Sequence, residues 1–427
     1  MSVHLMVRRT DPIRNDTSEK PRMRPCAHRW VGAPSGIATL ALVAACRAGP
    51  THQPSQAASV KPLAILPLTS AGGMPFVPVR GDSGPDRLWL LDSGFETSVV
   101  NRRYADSLHL PAYVHGQQAA PGGHTDIGVV PGIRLHVGPT MFQPESLAVI
   151  DLHHVEPLIG LPYAGILGHD FLERYVTRID YDRQIIELFA PNTFVYSGAG
   201  RSLPVWIEAD QPFALGWLYA NPRTVPAKLK LDTGSLDVLG LNGSFVQQTE
   251  LTQGNRRRIP AQGAALGGKV AAYLIRLDSV TIGGFTMARP VAAYSAETER
   301  RGDAGTVGMG LLSRFNLVFD YARHRVILEP TTRTPRSMEY DASGLLLTSS
   351  APGFQGITVL AVDPGSPGDA AGIQAGDSLA AIDGMSPTRL GLSGVRERFS
   401  QVNTSVQLVI LHRGKERRVV LRLRPRL

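Results

Sequence analysis

Two aspartates in this chain stand where an apolar run stops. The first run reads Leu88-Trp89-Leu90-Leu91-Asp92-Ser93-Gly94, and the second reads Lys228-Leu229-Lys230-Leu231-Asp232-Thr233-Gly234. A carboxylate at the end of a buried strand is costly unless other groups hold it. A hydroxyl next in line can hydrogen-bond across such a site, and a following glycine lets the backbone turn with no Cβ in the way. Two such carboxylates brought together would share one proton and could activate a water molecule between them. One copy of Asp-Ser/Thr-Gly is weak evidence, because ordinary turns use the same residues. Asp82-Ser83-Gly84 also matches, but it follows Pro78-Val79-Arg80-Gly81 and reads as a hairpin turn.

Register separates Asp92 and Asp232 from chance. Their offset is 140 (232 − 92). Gly165-Ile166-Leu167-Gly168-His169-Asp170-Phe171-Leu172 and Gly305-Thr306-Val307-Gly308-Met309-Gly310-Leu311-Leu312 keep it (308 − 168 = 140). So do Arg178-Ile179-Asp180-Tyr181-Asp182-Arg183 and Val318-Phe319-Asp320-Tyr321-Ala322-Arg323 (320 − 180 = 140). Three landmarks at one offset predict a long internal repeat of two similar lobes.

The elements that must carry these residues are short strands. Phe76–Val79, Leu88–Leu91, Ile133–Val137, Ser146–Ile150, Thr177–Tyr181 and Ile185–Phe189 are apolar and divided by turns, which predicts an all-β fold. Tyr104–Leu110 fits one helical turn. Gly-rich stretches recur between the aspartates and the later strands, at 116–123 and 262–268, and they read as mobile hairpin tips. Gly122 and Gly123, with Gly267 and Gly268, are the expected flap positions, since lids that close over a substrate need such mobility.

The chain has 427 residues, 44 Gly, 32 Pro and a net charge of +8, sized for two or three domains rich in turns. The charge is split: residues 1–35 carry seven Lys/Arg against three Asp/Glu, and residues 343–427 ten against six. The repeated lobes are therefore near neutral, which argues against a nucleic-acid partner. Arg256-Arg257-Arg258 is the tight basic run in the lobes and reads as a solvated loop. Both cysteines, Cys26 and Cys46, precede the folded region, so no disulfide or thiolate metal site is expected there. The histidines lack metal-ligand spacing, and His153-His154 reads as a surface pair. No metal or other cofactor is expected.

Arg22, Arg24 and Arg29 precede the apolar run Ile37–Ala45, which ends in small residues before Cys46, the pattern of an export signal. It resembles the bacterial lipoprotein signal. That resemblance implies lipidation of Cys46 and a periplasmic protein touching the membrane through a lipid anchor only; ordinary signal cleavage, giving a free exported protein, is the alternative. The expected organisation is a signal at 1–46, a flexible spacer at 47–62, lobe one at 63–191, lobe two at 192–330 with a hinge near Ser197-Gly198-Ala199-Gly200, a linker at 331–341 and a tail at 342–427.

Asp-Ser/Thr-Gly on a strand, a Gly-rich flap and an apolar-apolar-Gly segment together resemble the retropepsin-like aspartic proteases, over most of Leu63–Pro330. The resemblance implies two tandem acid-protease lobes, pseudo-two-fold β-barrels, acting as one monomer on a peptide or protein substrate. Asp92 and Asp232 would be catalytic, supported by Ser93, Gly94, Thr233 and Gly234. Phe95 and Glu96 depart from the pattern by placing bulk and charge beside Asp92, and Gly310 stands where the other repeat has Asp170. Phe95 and Glu96 motivate a second reading, an inactive envelope scaffold; self-processing is a third.

The tail resembles the bacterial PDZ domain, through Asp363-Pro364-Gly365-Ser366-Pro367-Gly368-Asp369-Ala370-Ala371-Gly372-Ile373-Gln374-Ala375-Gly376-Asp377 and Ile382-Asp383-Gly384. This implies a small α+β domain in which Gly344, Leu345, Leu346 and Leu347 form the loop that holds a peptide C-terminus, Leu346 facing the pocket, with Ser393–Gln401 as the groove helix.

Overall fold

The computed structural model describes residues 61–427, except 83, 111–113, 121, 255, 296–301, 333–340 and 351–352. The signal, Cys46, nearly all of the spacer, Ser83 and most of the linker lie outside the described residues.

The apolar runs form short strands, as their composition requires. One sheet runs, in spatial order, through Met74–Val79, Arg87–Leu91, Gly165–Leu167, Val99–Asn101, Ser146–Ile150, Gly123–Pro131 and Val114–Ala120. A second repeats that order with Gln211–Ala220, Arg223–Leu231, Gly305–Val307, Leu239–Asn242, Val291–Ser295, Gly268–Arg276 and Arg258–Ala265. In each, the strand before the aspartate pairs in parallel with the apolar-apolar-Gly strand, which pairs antiparallel with the next. Trp89, Leu90, Leu91, Leu229 and Leu231 are all at most 2% exposed, so these strands are covered on both faces. Burying one such Leu stabilises by about 1.5–3 kcal/mol, and a polar substitution there would cost comparably.

A third sheet joins the repeats. Val176–Asp180 pairs antiparallel with Phe315–Asp320, with Arg178 opposite Val318, and each is flanked by its own hairpin partner. The repeated Asp-Tyr-x-Arg landmark has a local cause here. Arg183 pairs with Asp180 at 3.6 Å and Arg323 with Asp320 at 3.1 Å, closing the same turn twice.

Most expected elements lie where composition put them, with shifts at their ends. The helical turn spans Arg102–Ser107, earlier than Tyr104–Leu110, and Ile133–Val137 shortens to Leu135–Val137. The basic run is not a simple solvated loop. Arg256 reaches the carbonyl of Arg276 and the carboxylate of Asp278, and Arg258 opens a strand. Phe95 is fully buried in the core. Asp170 ties down the loop after Asp92, its carboxylate accepting from Ser98 at 2.7 Å and Thr97 at 3.4 Å. In the second repeat a backbone bond does similar work, from Gly310 N to Asp237 O at 3.1 Å.

The tail folds as five strands, Leu345–Ser350, Gly356–Val362, Ser378–Ile382, Ser405–His412 and Lys415–Arg422, closed by helix Pro387–Phe399. Val395 and Phe399 bury one helix face against Leu347, Val359, Ile382 and Leu408. The helix starts earlier than residue 393 and breaks at Gly391, whose φ of 64° is non-helical.

Candidate functional site

The two Asp-Ser/Thr-Gly turns lie against each other and interlock. Ser93 N–H donates to Thr233 Oγ1 at 2.9 Å, and Thr233 N–H donates to Ser93 Oγ at 3.1 Å. Each hydroxyl then donates to the strand that leads into the other turn: Ser93 Oγ to Leu231 O at 2.9 Å, Thr233 Oγ1 to Leu91 O at 2.7 Å. All of these groups are buried, where a hydrogen bond counts most and an unmade one costs most.

Both carboxylates point over the crossing. Each takes its own glycine's N–H on Oδ1, Gly94 to Asp92 at 2.8 Å and Gly234 to Asp232 at 3.0 Å. Each carboxylate packs against the other turn's glycine. The glycines are required by this closeness: a Cβ on Gly94 would sit 2.5 Å from Asp232 Cγ, and one on Gly234 would overlap Asp92 Oδ2. Burial first, and the Asp232 charge second, push the Asp92 carboxyl well above the ordinary carboxylate value.

The flap glycines also come together. The hairpins Val114–Ala120/Gly123–Pro131 and Arg258–Ala265/Gly268–Arg276 meet tip to tip, so that a Cβ on Gly122 would lie 2.7 Å from Gly268 O and one on Gly123 2.8 Å from Gly267 O. His154 Nε2–H donates to Leu266 O at 2.8 Å, fastening the first repeat to the second hairpin. His154 is thus more than half of a surface pair; only its fold partner reveals this. Asp92 and Asp232 are both 0% exposed.

Three more groups escaped the sequence reading. Lys230 Nζ lies 2.9 Å from Asp232 Oδ2, with both side chains fully buried. Gln211 Nε2 donates to Gly94 O at 2.7 Å. Tyr321 is buried near both carboxylates, and burial first, then their charges, hold its phenol well above the usual value. Lys230 alone had a sequence signal: it is a charge in an apolar strand, where the first repeat has Leu90.

In the tail, Leu345 and Leu347 are core residues, while Leu346 is half-buried and lines a groove with Gly344, Ser393 and Arg396. Leu236 and Gln262 of the second repeat form its far wall, enclosing about 190 Å³. The domain is hydrogen-bonded to the first repeat: Gly72 N–H donates to Ser393 Oγ at 2.9 Å, and Ser349 Oγ to Pro157 O at 2.8 Å.

A family model for the PDZ domain matches residues 358–411. No curated protein matches the chain. The tail is a PDZ domain, a module that typically recognises peptides or protein C-termini.

Proposed function

We propose that the chain is an aspartic-type endopeptidase, resembling the retropepsin-like enzymes, whose dyad Asp92 and Asp232 forms within one chain and whose PDZ domain recognises peptide or protein. One observation carries this reading: the crossed hydroxyl bridges between Ser93 and Thr233, which hold two carboxyl groups against each other in a dry site. Carboxyl groups this close share one proton. The ionised member takes a proton from a water between them, and the water oxygen attacks the peptide carbonyl carbon. The protonated member hydrogen-bonds the carbonyl oxygen as charge develops there. No covalent bond to the enzyme forms. The hairpins over the site exclude bulk water once a peptide has entered.

The test is cleavage of an unfolded protein by the purified chain at roughly pH 4–6, where such a pair holds one proton. Asp92→Asn and Asp232→Asn should each lose cleavage and keep the fold, and pepstatin should inhibit the parent. Full turnover by either variant refutes the reading.

The second reading, an inactive scaffold working through its PDZ domain, draws on Lys230 and on the complete burial of both carboxylates. A parent that binds peptide C-termini but cleaves nothing would establish it. The export signal and lipid anchor at Cys46 remain part of the proposal, tested by metabolic labelling with a fatty acid.

A further inference from the structure

The mechanism above leaves Lys230 without a task. Residues two apart on a strand share a face, so Lys230 and Asp232 leave their strand on the same side, and Nζ comes to 2.9 Å from Oδ2. Leu90 holds the matching position in the first repeat (230 − 140 = 90) and is 2% exposed. The two repeats are thus alike around the dyad but differ there by one buried charge. A buried ammonium is expensive without an anionic partner, and Asp232 supplies one. Its register neighbours on the flanking strands, Phe213 and Thr306, carry no charge.

We propose that Lys230 is a positioning residue that breaks the symmetry of the dyad: its ammonium keeps Asp232 ionised, so Asp232 is the base that takes the proton from water and Asp92 is the acid that faces the carbonyl oxygen. The roles rest on the proteolytic reading; the unequal ionisation does not. Glu96, four residues past Asp92, is a half-buried carboxylate on the Asp92 side of the pair. Tyr163 and Tyr321 are buried phenols whose ionisation burial opposes. His169 stacks on Tyr321 at 5.1 Å and faces Glu173 and Asp210, at 3.6 and 4.0 Å. Asp237 lies on the same loop as Asp232 and is 8% exposed. Asp92, with its proton affinity raised by burial and by Asp232, is the natural holder of the shared proton.

The deciding measurement is a carboxyl 13C NMR titration of the full chain labelled at aspartate, with the dyad signals assigned through Asp92→Asn and Asp232→Asn. Asp232 should ionise first while Asp92 keeps its proton. In Lys230→Met, Asp232 should ionise about 1–3 pH units higher, the usual reach of a removed opposite charge, and Lys230→Arg should keep the parent order. Ionisation of Asp92 before Asp232 in the parent overturns the proposal, and so does an unmoved Asp232 in Lys230→Met. The parent titration decides the matter even where Lys230→Met does not fold. Cleavage gives the second readout: the acid limb of the pH–rate profile should move upward in Lys230→Met by the same amount. If Asp92→Asn still cleaves while the NMR order holds, the proteolytic reading fails and the asymmetry stands.

Discussion

Thr233→Val probes the interlock with little change of shape. Valine keeps the β-branched outline but can neither accept from Ser93 N–H nor donate to Leu91 O, contacts of 2.9 and 2.7 Å in the parent. Both backbone groups stay buried. Each unpartnered group costs about 1–3 kcal/mol, so the substitution should destabilise by roughly 2–6 kcal/mol in all. Ser93→Ala leaves Thr233 N–H and Leu231 O in the same position and should cost a similar amount. The bonds are crossed, so losing one hydroxyl loosens the contact that the other needs. The double variant should therefore cost less than the two singles together, with a coupling of about 1–3 kcal/mol. Urea unfolding followed by tryptophan emission reads this out. Trp89 is fully buried on the strand leading to Asp92, whereas Trp206 and Trp217 are 49% and 41% exposed and change little on unfolding. A shift for Thr233→Val within about 0.5 kcal/mol, the range of ordinary surface substitutions, would refute the argument, as would strict additivity in the double variant.

The pH dependence of stability should favour acid. Asp92, Asp170, Asp341 and Asp363 all have carboxyls raised above 3.8, and Glu156 above 4.5, each chiefly by burial. A raised carboxyl contributes stability that is complete below its unfolded value and is lost as pH climbs through the folded one. Asp151 and Asp278 are lowered and act in the opposite sense, but their side chains are 41% and 54% exposed and count for less. The thermal midpoint should therefore fall as pH rises from about 4 to 7; a flat or rising curve contradicts the burial argument. His154→Ala removes the 2.8 Å bond to Leu266 and should speed hydrogen exchange across 258–276 severalfold, leaving the six-stranded sheet unchanged, as mass spectrometry can show. Leu346→Asp places a charge in the PDZ groove and should weaken binding of C-terminal peptides at least tenfold by fluorescence polarisation, with the PDZ core intact because Leu345 and Leu347 carry the packing.

Local order alone specified much of this chain. Apolar runs bounded by Gly and Pro give short strands wherever they fall, so Leu88–Leu91 and Ile185–Phe189 were legible as strands. The constant offset of 140 made the repeat visible before any contact was known. The PDZ signature was equally plain, because its turns demand glycine at fixed places and its strands alternate, which also singled out Leu346 from Leu345 and Leu347. Tertiary structure decided what touches what across those 140 residues. The exchange of hydroxyl bonds between Ser93 and Thr233 needs both turns at one point in space, and spacing along the chain carries no information about that distance. The grip of His154 on the second hairpin was hidden for the same reason. Lys230 shows the limit most clearly. Strand periodicity puts it on the same face as Asp232, but only the packing of strands on both sides removes water from that face and turns a lysine into a dry, 2.9 Å partner of a carboxylate.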